Sequence, residues 1–146
     1  MPPSHPLNDV AEVIRLAVAP VFLLTAMGTI LSVLSARLGR IIDRARVLGD
    51  RLPGLDTRGQ QSARAELRLL HRRRRLINLA ITLGTIAALL VCLLIAAAFV
   101  AAYVAVDASL LVSALFVLSM ASLVGALLFF LREILLAVLS TPIDPH

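Results

Sequence analysis

The fold is decided by residues 71–106, HRRRRLINLAITLGTIAALLVCLLIAAAFVAAYVAV, in which four consecutive arginines meet a long run without charge. A helix of about 20 apolar residues crosses the roughly 30 Å hydrocarbon core of a bilayer. Residues 76–106 exceed that length, so we expect this helix to tilt or to extend beyond the bilayer. The run shows no strand alternation, and a helix pairs its own backbone inside the membrane. It therefore predicts a transmembrane helix that begins beside a basic cluster.

The composition extends this interpretation to the whole chain of 146 residues. It is 60% hydrophobic and 16% charged, with a mean hydropathy of +0.95, whereas a soluble domain is about half apolar and about a quarter charged. Two further apolar stretches, residues 16–36 and 108–131, are long enough to span a bilayer. These properties exclude a water-soluble enzyme and a free nucleic-acid-binding protein. We expect an all-α integral membrane protein with three transmembrane helices.

The arginines determine the predicted orientation in the membrane. All 14 basic residues are arginine, and twelve of them lie in residues 37–75 against four acids, a net charge of +8. The segment before Arg15 has two acids and no arginine, and the turn between the second and third spans contains only Asp107. The positive-inside rule therefore places the N-terminus outside and the arginine-rich segment and C-terminus in the cytoplasm.

The predicted segments of this single membrane domain are an outer N-terminal segment (1–15), span one (16–36), an arginine-rich segment (37–75), span two (76–106), span three (108–131) and a cytoplasmic tail (132–146).

The arginine-rich segment is predicted to form an antiparallel helical hairpin in the cytoplasm. Apolar residues at steps of three and four run from Leu31 to Leu52 without a break where span one ends, which predicts a continuous helix. Proline and glycine at residues 53–54 predict a turn, and Thr57 with Gln60 predicts a capping box that starts the returning helix.

A turn at that position also predicts which residues of the hairpin face each other. Residues equally far from the turn should lie opposite, which places Glu66 near Arg44 and Asp43 near Arg68. We expect weak, solvated ion pairs on this hairpin face. The apolar stripe of the returning helix is expected at Leu67, Leu70, Arg74 and Ile77.

Small and polar residues form a second stripe on the first two spans, about 100° round the helix from the leucine stripe. Small side chains let helices approach closely, and hydroxyls and amides hydrogen-bond across helix contacts. The alternative is that these groups line a polar path once several copies assemble, because one three-helix chain cannot enclose one. Further pairs such as Ala80 with Gly84 and Ala121 with Gly125 favour a homo-oligomer. The candidate residues for a packing stripe or a polar path are Thr25, Gly28, Ser32, Asn78, Thr82 and Thr85.

Charged residues at the predicted cytoplasmic ends of the spans form a second candidate site. Arginines at this level set the topology and reach lipid phosphates. They could also form a specific anionic-lipid site, or an anion-attracting vestibule at the mouth of an oligomer. Because an isolated carboxylate at a membrane boundary is costly, Glu133 is expected to pair with Arg37 or Arg75. The candidate cluster contains Arg37, Arg40, Arg72, Arg73, Arg74, Arg75 and Glu133.

The sequence carries no pattern typical of catalysis or cofactor binding. Cys92 is the single cysteine, the three histidines lack metal-ligand spacing, and no Gly-rich phosphate loop or nucleophile elbow occurs. With one tyrosine, no tryptophan and no recognition motif, a nucleic-acid partner is not expected. We expect no enzymatic activity and no cofactor or metal. The expected partners are membrane lipids with anionic headgroups, further copies of the chain, and a small ion or solute if the polar stripe lines a path.

Four stretches carry a resemblance: PVFLL at residues 20–24, RLGRIIDRAR at 37–46, the segment 66–78, and FFLRE at 129–133. They resemble a bacterial membrane family called domain of unknown function 2721, over residues 8–138. The resemblance implies a three-span protein of the bacterial inner membrane and implies no activity. Two functions stay open: a small homo-oligomeric, channel-like or transport assembly lined by the Ser/Thr stripe, and a non-catalytic scaffold whose arginine-rich hairpin binds anionic lipid or a cytoplasmic partner.

Overall fold

The computed structural model describes residues 6–104 and 106–139, with side chains from residue 14 onward apart from residue 16, and almost all of these residues are helical. The three helices are α1 (Pro6–Arg51), α2 (Thr57–Val104) and α3 (Ser109–Leu139), and no strand occurs among the described residues. Each is long and apolar enough to cross a membrane, for which about 20 residues suffice. The prediction of an all-α chain with three such helices is confirmed.

The turn between α1 and α2 lies where proline and glycine predicted it. α1 ends at Arg51, Leu52–Gly54 form a short 3₁₀ turn, and Leu55 is extended with φ −89° and ψ 149°. Proline fits the start of such a turn because it has no backbone N–H to leave unpaired and its φ is already helical. Both helices therefore continue well beyond the predicted spans before the chain reverses.

The residue that caps α2 is Asp56, so the predicted capping box with Thr57 as its first residue is wrong by one position. Oδ1 of Asp56 accepts a hydrogen bond from the Gly59 N–H at 2.9 Å, and Gln60 Nε2 donates to the Leu55 carbonyl at 3.0 Å. A carboxylate accepts hydrogen bonds more strongly than a hydroxyl does, and its negative charge interacts favourably with the positive N-terminal end of the helix dipole. A Cβ at Gly59 would lie only 2.8 Å from that Oδ1, so glycine permits the close approach.

The start of α3 is held by a second aspartate, Asp107. Its Oδ1 accepts a hydrogen bond from the Ser109 N–H at 2.9 Å, and the Val112 N–H donates to the Ala108 carbonyl at 3.0 Å. The backbone of Ser109, and secondarily its side chain, lower the pKa of Asp107 below its ordinary value of 3.8, against a smaller opposing effect of desolvation. The charged carboxylate therefore caps the helix at neutral pH.

The helices form two compact units, each with its own core. The first unit contains α1 up to Leu31 together with Leu83–Val124, and the second contains Ser32–Thr82 together with the chain from Gly125 onward. In the first unit all three helices contribute to the core. Its fully buried side chains are Met27, Ala87 and Val91, and the partly buried ones around them are Leu23, Leu24, Ala88, Ile95 and Leu123.

Apart from Ala80, the buried residues of the second unit recur every seven positions. This spacing is typical of helices that pack side by side at a small crossing angle, because seven residues make nearly two turns. Glu133 occupies one of these positions on α3, so a carboxylate takes the place of an apolar core residue. The buried residues in this series are Leu34 and Ile41 on α1, Ala63, Leu70 and Ile77 on α2, and Ala126 and Glu133 on α3.

The register of the α1–α2 hairpin within the second unit agrees with one of the two predicted ion pairs. Arg44 Nε lies 2.9 Å from Glu66 Oε1, so the predicted pairing is confirmed. Asp43 and Arg68 do not pair within the described part of the chain. Arg68 Nε instead donates to the Arg64 carbonyl at 3.5 Å. Asp43 and Arg68 are both exposed, and an ion pair between exposed side chains contributes little to stability.

Most of the apolar surface of the helices is not covered by the chain itself. Between 11% and 17% of the most apolar segment of each helix is buried. Phe22 on α1 is 72% exposed and Leu110 on α3 is 85% exposed. Apolar surface of this extent requires lipid or another chain against it, as expected for a membrane protein.

Candidate functional site

One buried carboxylate in the second unit joins two arginines from different helices. Glu133 on α3 has no exposed surface. Arg37 on α1 donates from Nη1 to Oε2 at 2.7 Å, and Arg73 on α2 donates from Nη2 and Nε to Oε1 at 2.8 and 3.1 Å. We call these three residues the Glu133 lock. Because each helix supplies one residue, the lock ties together the three helical segments of this unit.

Helical periodicity places the two arginines at the inner face of their helices. Arg37 follows the buried Leu34 by three residues, and Arg73 precedes the buried Ala80 by seven. Both spacings return to the same side of a helix. The arginine side chains are nevertheless long enough to keep 31% and 21% of their surface exposed, whereas Glu133 keeps none. In the lock, the carboxylate is therefore fully buried and the two guanidinium-bearing side chains are partly exposed.

The surroundings of the lock compensate for the burial of charge. A buried ion is costly unless hydrogen bonds satisfy it, and here three charge-assisted bonds reach the two carboxylate oxygens. The ring of Phe130, one turn before Glu133 on α3, lies 5.4 Å from the guanidinium carbon of Arg37. This cation–π contact adds a further favourable interaction for the Arg37 guanidinium.

The predicted pairing of Glu133 is confirmed for Arg37, while its second partner is Arg73 and not Arg75. Arg75 is exposed, as is Arg74, which the predicted apolar stripe of α2 included. Two residues along a helix correspond to about 200° of rotation, so Arg75 points away from the face that Arg73 shares. The sequence was ambiguous at this point, because residues 70, 73, 77 and 80 follow alternating steps of three and four, and so do residues 67, 70, 74 and 77.

The other arginines of the predicted cluster are exposed. Arg40 makes no hydrogen bond or ion pair with any residue that the structure describes. The structure thus divides the cluster into two arginines held by Glu133 and four with their side chains on the surface of the single chain. These four are Arg40, Arg72, Arg74 and Arg75.

The predicted polar stripe lies on the surface of the single chain. Its hydroxyls bond within their own helices: Thr25 Oγ1 donates to the Val21 carbonyl at 3.2 Å, and Thr82 Oγ1 donates to the Asn78 carbonyl at 2.9 Å. A Cβ built at Gly28 would meet nothing within 4 Å. The stripe therefore does not fill a helix contact inside one chain, and its role in a path or in packing stays a prediction. All six members are exposed: Thr25, Gly28, Ser32, Asn78, Thr82 and Thr85.

The chemistry that the structure brings together is that of guanidinium and carboxylate groups. Among the described residues, no group of three or more His, Cys, Asp or Glu side chains is placed to hold a metal ion. Guanidinium groups bind carboxylates and phosphates through paired N–H donors. The arrangement is suited to tying helices together and to holding anions.

The comparison with known proteins identifies one family. The profile of a family described as "Protein of unknown function (DUF2721)" matches residues 17–143, which is most of the chain. The resemblance drawn from the four sequence stretches is thereby confirmed. No curated protein and no solved structure matches the chain significantly.

Proposed function

The chain belongs to this family of unknown function, and we propose that it is a non-catalytic membrane scaffold whose arginine-rich end binds anionic lipid headgroups. We further propose that it lies in the bacterial inner membrane, with the arginine-rich hairpin and the C-terminus in the cytoplasm and the N-terminus outside.

The observation that carries the proposal is the division of the arginine cluster. Arg37 and Arg73 are held by Glu133, whereas Arg72, Arg74 and Arg75 are exposed. The exposed three immediately precede residue 76, where the charge-free run of span two begins. Juxtamembrane arginines attract anionic lipid by about 1 kcal/mol each, so three side chains at that level give a marked preference for anionic headgroups.

The proposal is tested by lipid retention on the purified full chain in detergent. Native mass spectrometry after addition of equal phosphatidylglycerol and phosphatidylcholine should show preferential retention of phosphatidylglycerol. The variant Arg72→Gln/Arg74→Gln/Arg75→Gln should lose most of that preference and keep the Glu133 lock.

A control variant with the same change in net charge separates a local effect from a general one. Arg51→Gln/Arg58→Gln/Arg64→Gln removes three exposed arginines near the hairpin turn. It should retain the preference for phosphatidylglycerol. Equal loss in both triple variants, or no preference in the unmodified chain, would contradict the scaffold proposal.

The second candidate is a homo-oligomer in which the polar stripe faces another copy and lines a path for a small ion or solute. A separate observation favours it. All six stripe residues are exposed in the single chain, and amides and hydroxyls are seldom left facing hydrocarbon. A second copy, or water enclosed by several copies, would cover the exposed polar groups of the stripe, such as the Asn78 amide.

The single cysteine offers a test of this candidate. Cys92 is exposed and follows Thr85 by seven residues on α2, so it shares the stripe's face. Oxidative cross-linking in membranes should capture a dimer through Cys92, whereas Cys92→Ser/Val100→Cys should cross-link less efficiently. Flux through proteoliposomes should then be blocked by Ser32→Leu/Thr82→Leu. An absence of cross-linking together with an absence of flux would rule this candidate out.

A further inference from the structure

We infer that the second unit contains a specific phosphate pocket beside the Glu133 lock, which takes the phosphate group of an anionic lipid or a free phosphate. This inference rests on the proposed function and deepens it, because it adds one defined site to the general basic surface. The pocket is a cavity of about 330 Å³ between the three helical segments of this unit. Four of its lining side chains are arginines: Arg37, Arg40, Arg44 and Arg73.

The placement of these arginines follows from the helices that carry them. Arg37, Arg40 and Arg44 lie at steps of three and four on α1, so they share one face of that helix. Arg73 approaches from α2. Guanidinium groups from two helices thus line the cavity, and such groups bind phosphate through paired N–H donors.

The charge balance of the pocket favours the binding of an anion. Arg37 and Arg73 share the single carboxylate of Glu133, and Arg44 is paired with Glu66. Arg40 has neither a hydrogen bond nor an ion pair with any described residue. Four guanidinium groups against two carboxylates leave a surplus of two positive charges. A phosphate diester supplies one negative charge and a phosphate monoester nearly two.

The carboxylates also prepare the arginines for binding. A guanidinium group has five N–H donors, of which Glu133 takes one from Arg37 and two from Arg73. Glu66 takes one from Arg44. The remaining donors are free to meet a ligand while the groups themselves are already held in place, which lowers the entropic cost of binding. Arg40 alone has to be ordered by the ligand.

The apolar part of the lining favours a lipid as the source of the phosphate. Ile41 and Leu70 line the same cavity, and both are buried core residues. Arg37 directly follows the predicted end of span one, so the pocket lies at the predicted depth of the headgroups. A glycerol backbone can rest on the apolar side chains while its phosphate meets the arginines.

Titration calorimetry on the full chain in detergent tests the pocket, with short-chain phosphatidylglycerol, short-chain phosphatidylcholine and inorganic phosphate as ligands. Arg40→Gln should raise the Kd for phosphatidylglycerol about tenfold, which corresponds to 1.4 kcal/mol. Arg51→Gln, which changes an exposed arginine near the hairpin turn and outside the pocket, should change it less than twofold. Arg40→Lys keeps the positive charge but lacks the planar guanidinium group with its paired donors. Its effect on the Kd should therefore lie between the effects of these two variants. Arg40→Gln should melt like the unmodified chain without ligand, because Arg40 pairs with none of the described residues.

The possible outcomes separate the pocket from the scaffold proposal. Equal effects of Arg40→Gln and Arg51→Gln, with phosphatidylglycerol still preferred, would overturn the pocket and leave the scaffold proposal standing. No preference for phosphatidylglycerol over phosphatidylcholine would overturn the scaffold proposal, and an Arg40-dependent affinity for inorganic phosphate would still support the pocket with free phosphate as its ligand. If inorganic phosphate neither binds nor competes while the Arg40 effect persists, the ligand is the lipid headgroup.

Discussion

Replacing Glu133 with glutamine removes the charge of the lock and keeps the size of the side chain. Arg37 and Arg73 would then face each other without the anion that accepts three of their hydrogen bonds. Breaking a buried ion pair by removing one partner costs about 3–5 kcal/mol. Because the two arginines keep 31% and 21% of their side-chain surface exposed, water relieves part of their repulsion. We expect Glu133→Gln to lower the free energy of unfolding by about 3 kcal/mol.

The stability lost in each arginine variant should increase with the number of hydrogen bonds that the substitution removes. Arg37→Gln deletes one bond at 2.7 Å and leaves Glu133 with Arg73, so a loss of about 1.5–3 kcal/mol is expected. Arg73→Gln deletes two bonds and should cost more. Arg37→Gln/Arg73→Gln leaves a buried carboxylate without a cation and should be the least stable. Adding Glu133→Gln to that double variant should restore part of the loss, because no buried charge remains.

The assay is unfolding of the detergent-purified chain, followed by far-ultraviolet circular dichroism during titration with sodium dodecyl sulfate. Arg132→Gln is the matched control, because Arg132 is exposed and adjacent to Glu133 in sequence. It should alter the unfolding free energy by less than about 0.5 kcal/mol. The reasoning is refuted if Glu133→Gln unfolds like the unmodified chain, or if the triple variant is no more stable than the double.

Three further predictions concern the ends of the helices and the hairpin. Reversing Arg44 or Glu66 alone should cost about 0.2–1 kcal/mol, and the charge swap Arg44→Glu/Glu66→Arg should restore it; no restoration would mean that the pair does not couple α1 to α2. Asp56→Ala should destabilise the start of α2 by about 1 kcal/mol, seen as faster amide exchange there. Because its partners lower the pKa of Asp107, the stability that Asp107 contributes should be complete above its ordinary pKa of 3.8 and lost as the pH falls through the lower folded value. Asp107→Asn should abolish that pH dependence in an acid-unfolding titration.

The three long helices and the hairpin turn were predictable because each depends on a strong local signal. When a charge-free run is long enough to span the bilayer, its backbone has few alternatives to a helix. Adjacent proline and glycine are a strong signal for the end of a helix. The Arg44–Glu66 pair followed from the turn, since the position of the turn fixes the register of two antiparallel helices. These predictions needed no knowledge of what the side chains contact.

The error in the second partner of Glu133 has a different cause, which is the phase of a helix face. Arg75 was expected beside Glu133, yet the face that packs inward passes through Arg73, and two residues change the direction of a side chain by about 200°. In a run of four arginines, the residue types do not indicate which one points inward. The stripe containing Thr82 is a related case, because small polar residues define a face of the helix without indicating whether lipid, water or another chain covers it.

The position of the Glu133 lock implies that folding of the single chain and any association of copies depend on different faces of α2. Ile77 and Ala80 fill the contact inside the second unit, and Asn78 and Thr82 lie about 100° and more from Ile77 round the helix. A second chain that covers Asn78 and Thr82 therefore displaces none of the residues that hold the unit together. Substitutions in the polar stripe should change association without unfolding the chain, whereas substitutions in the lock should unfold it first.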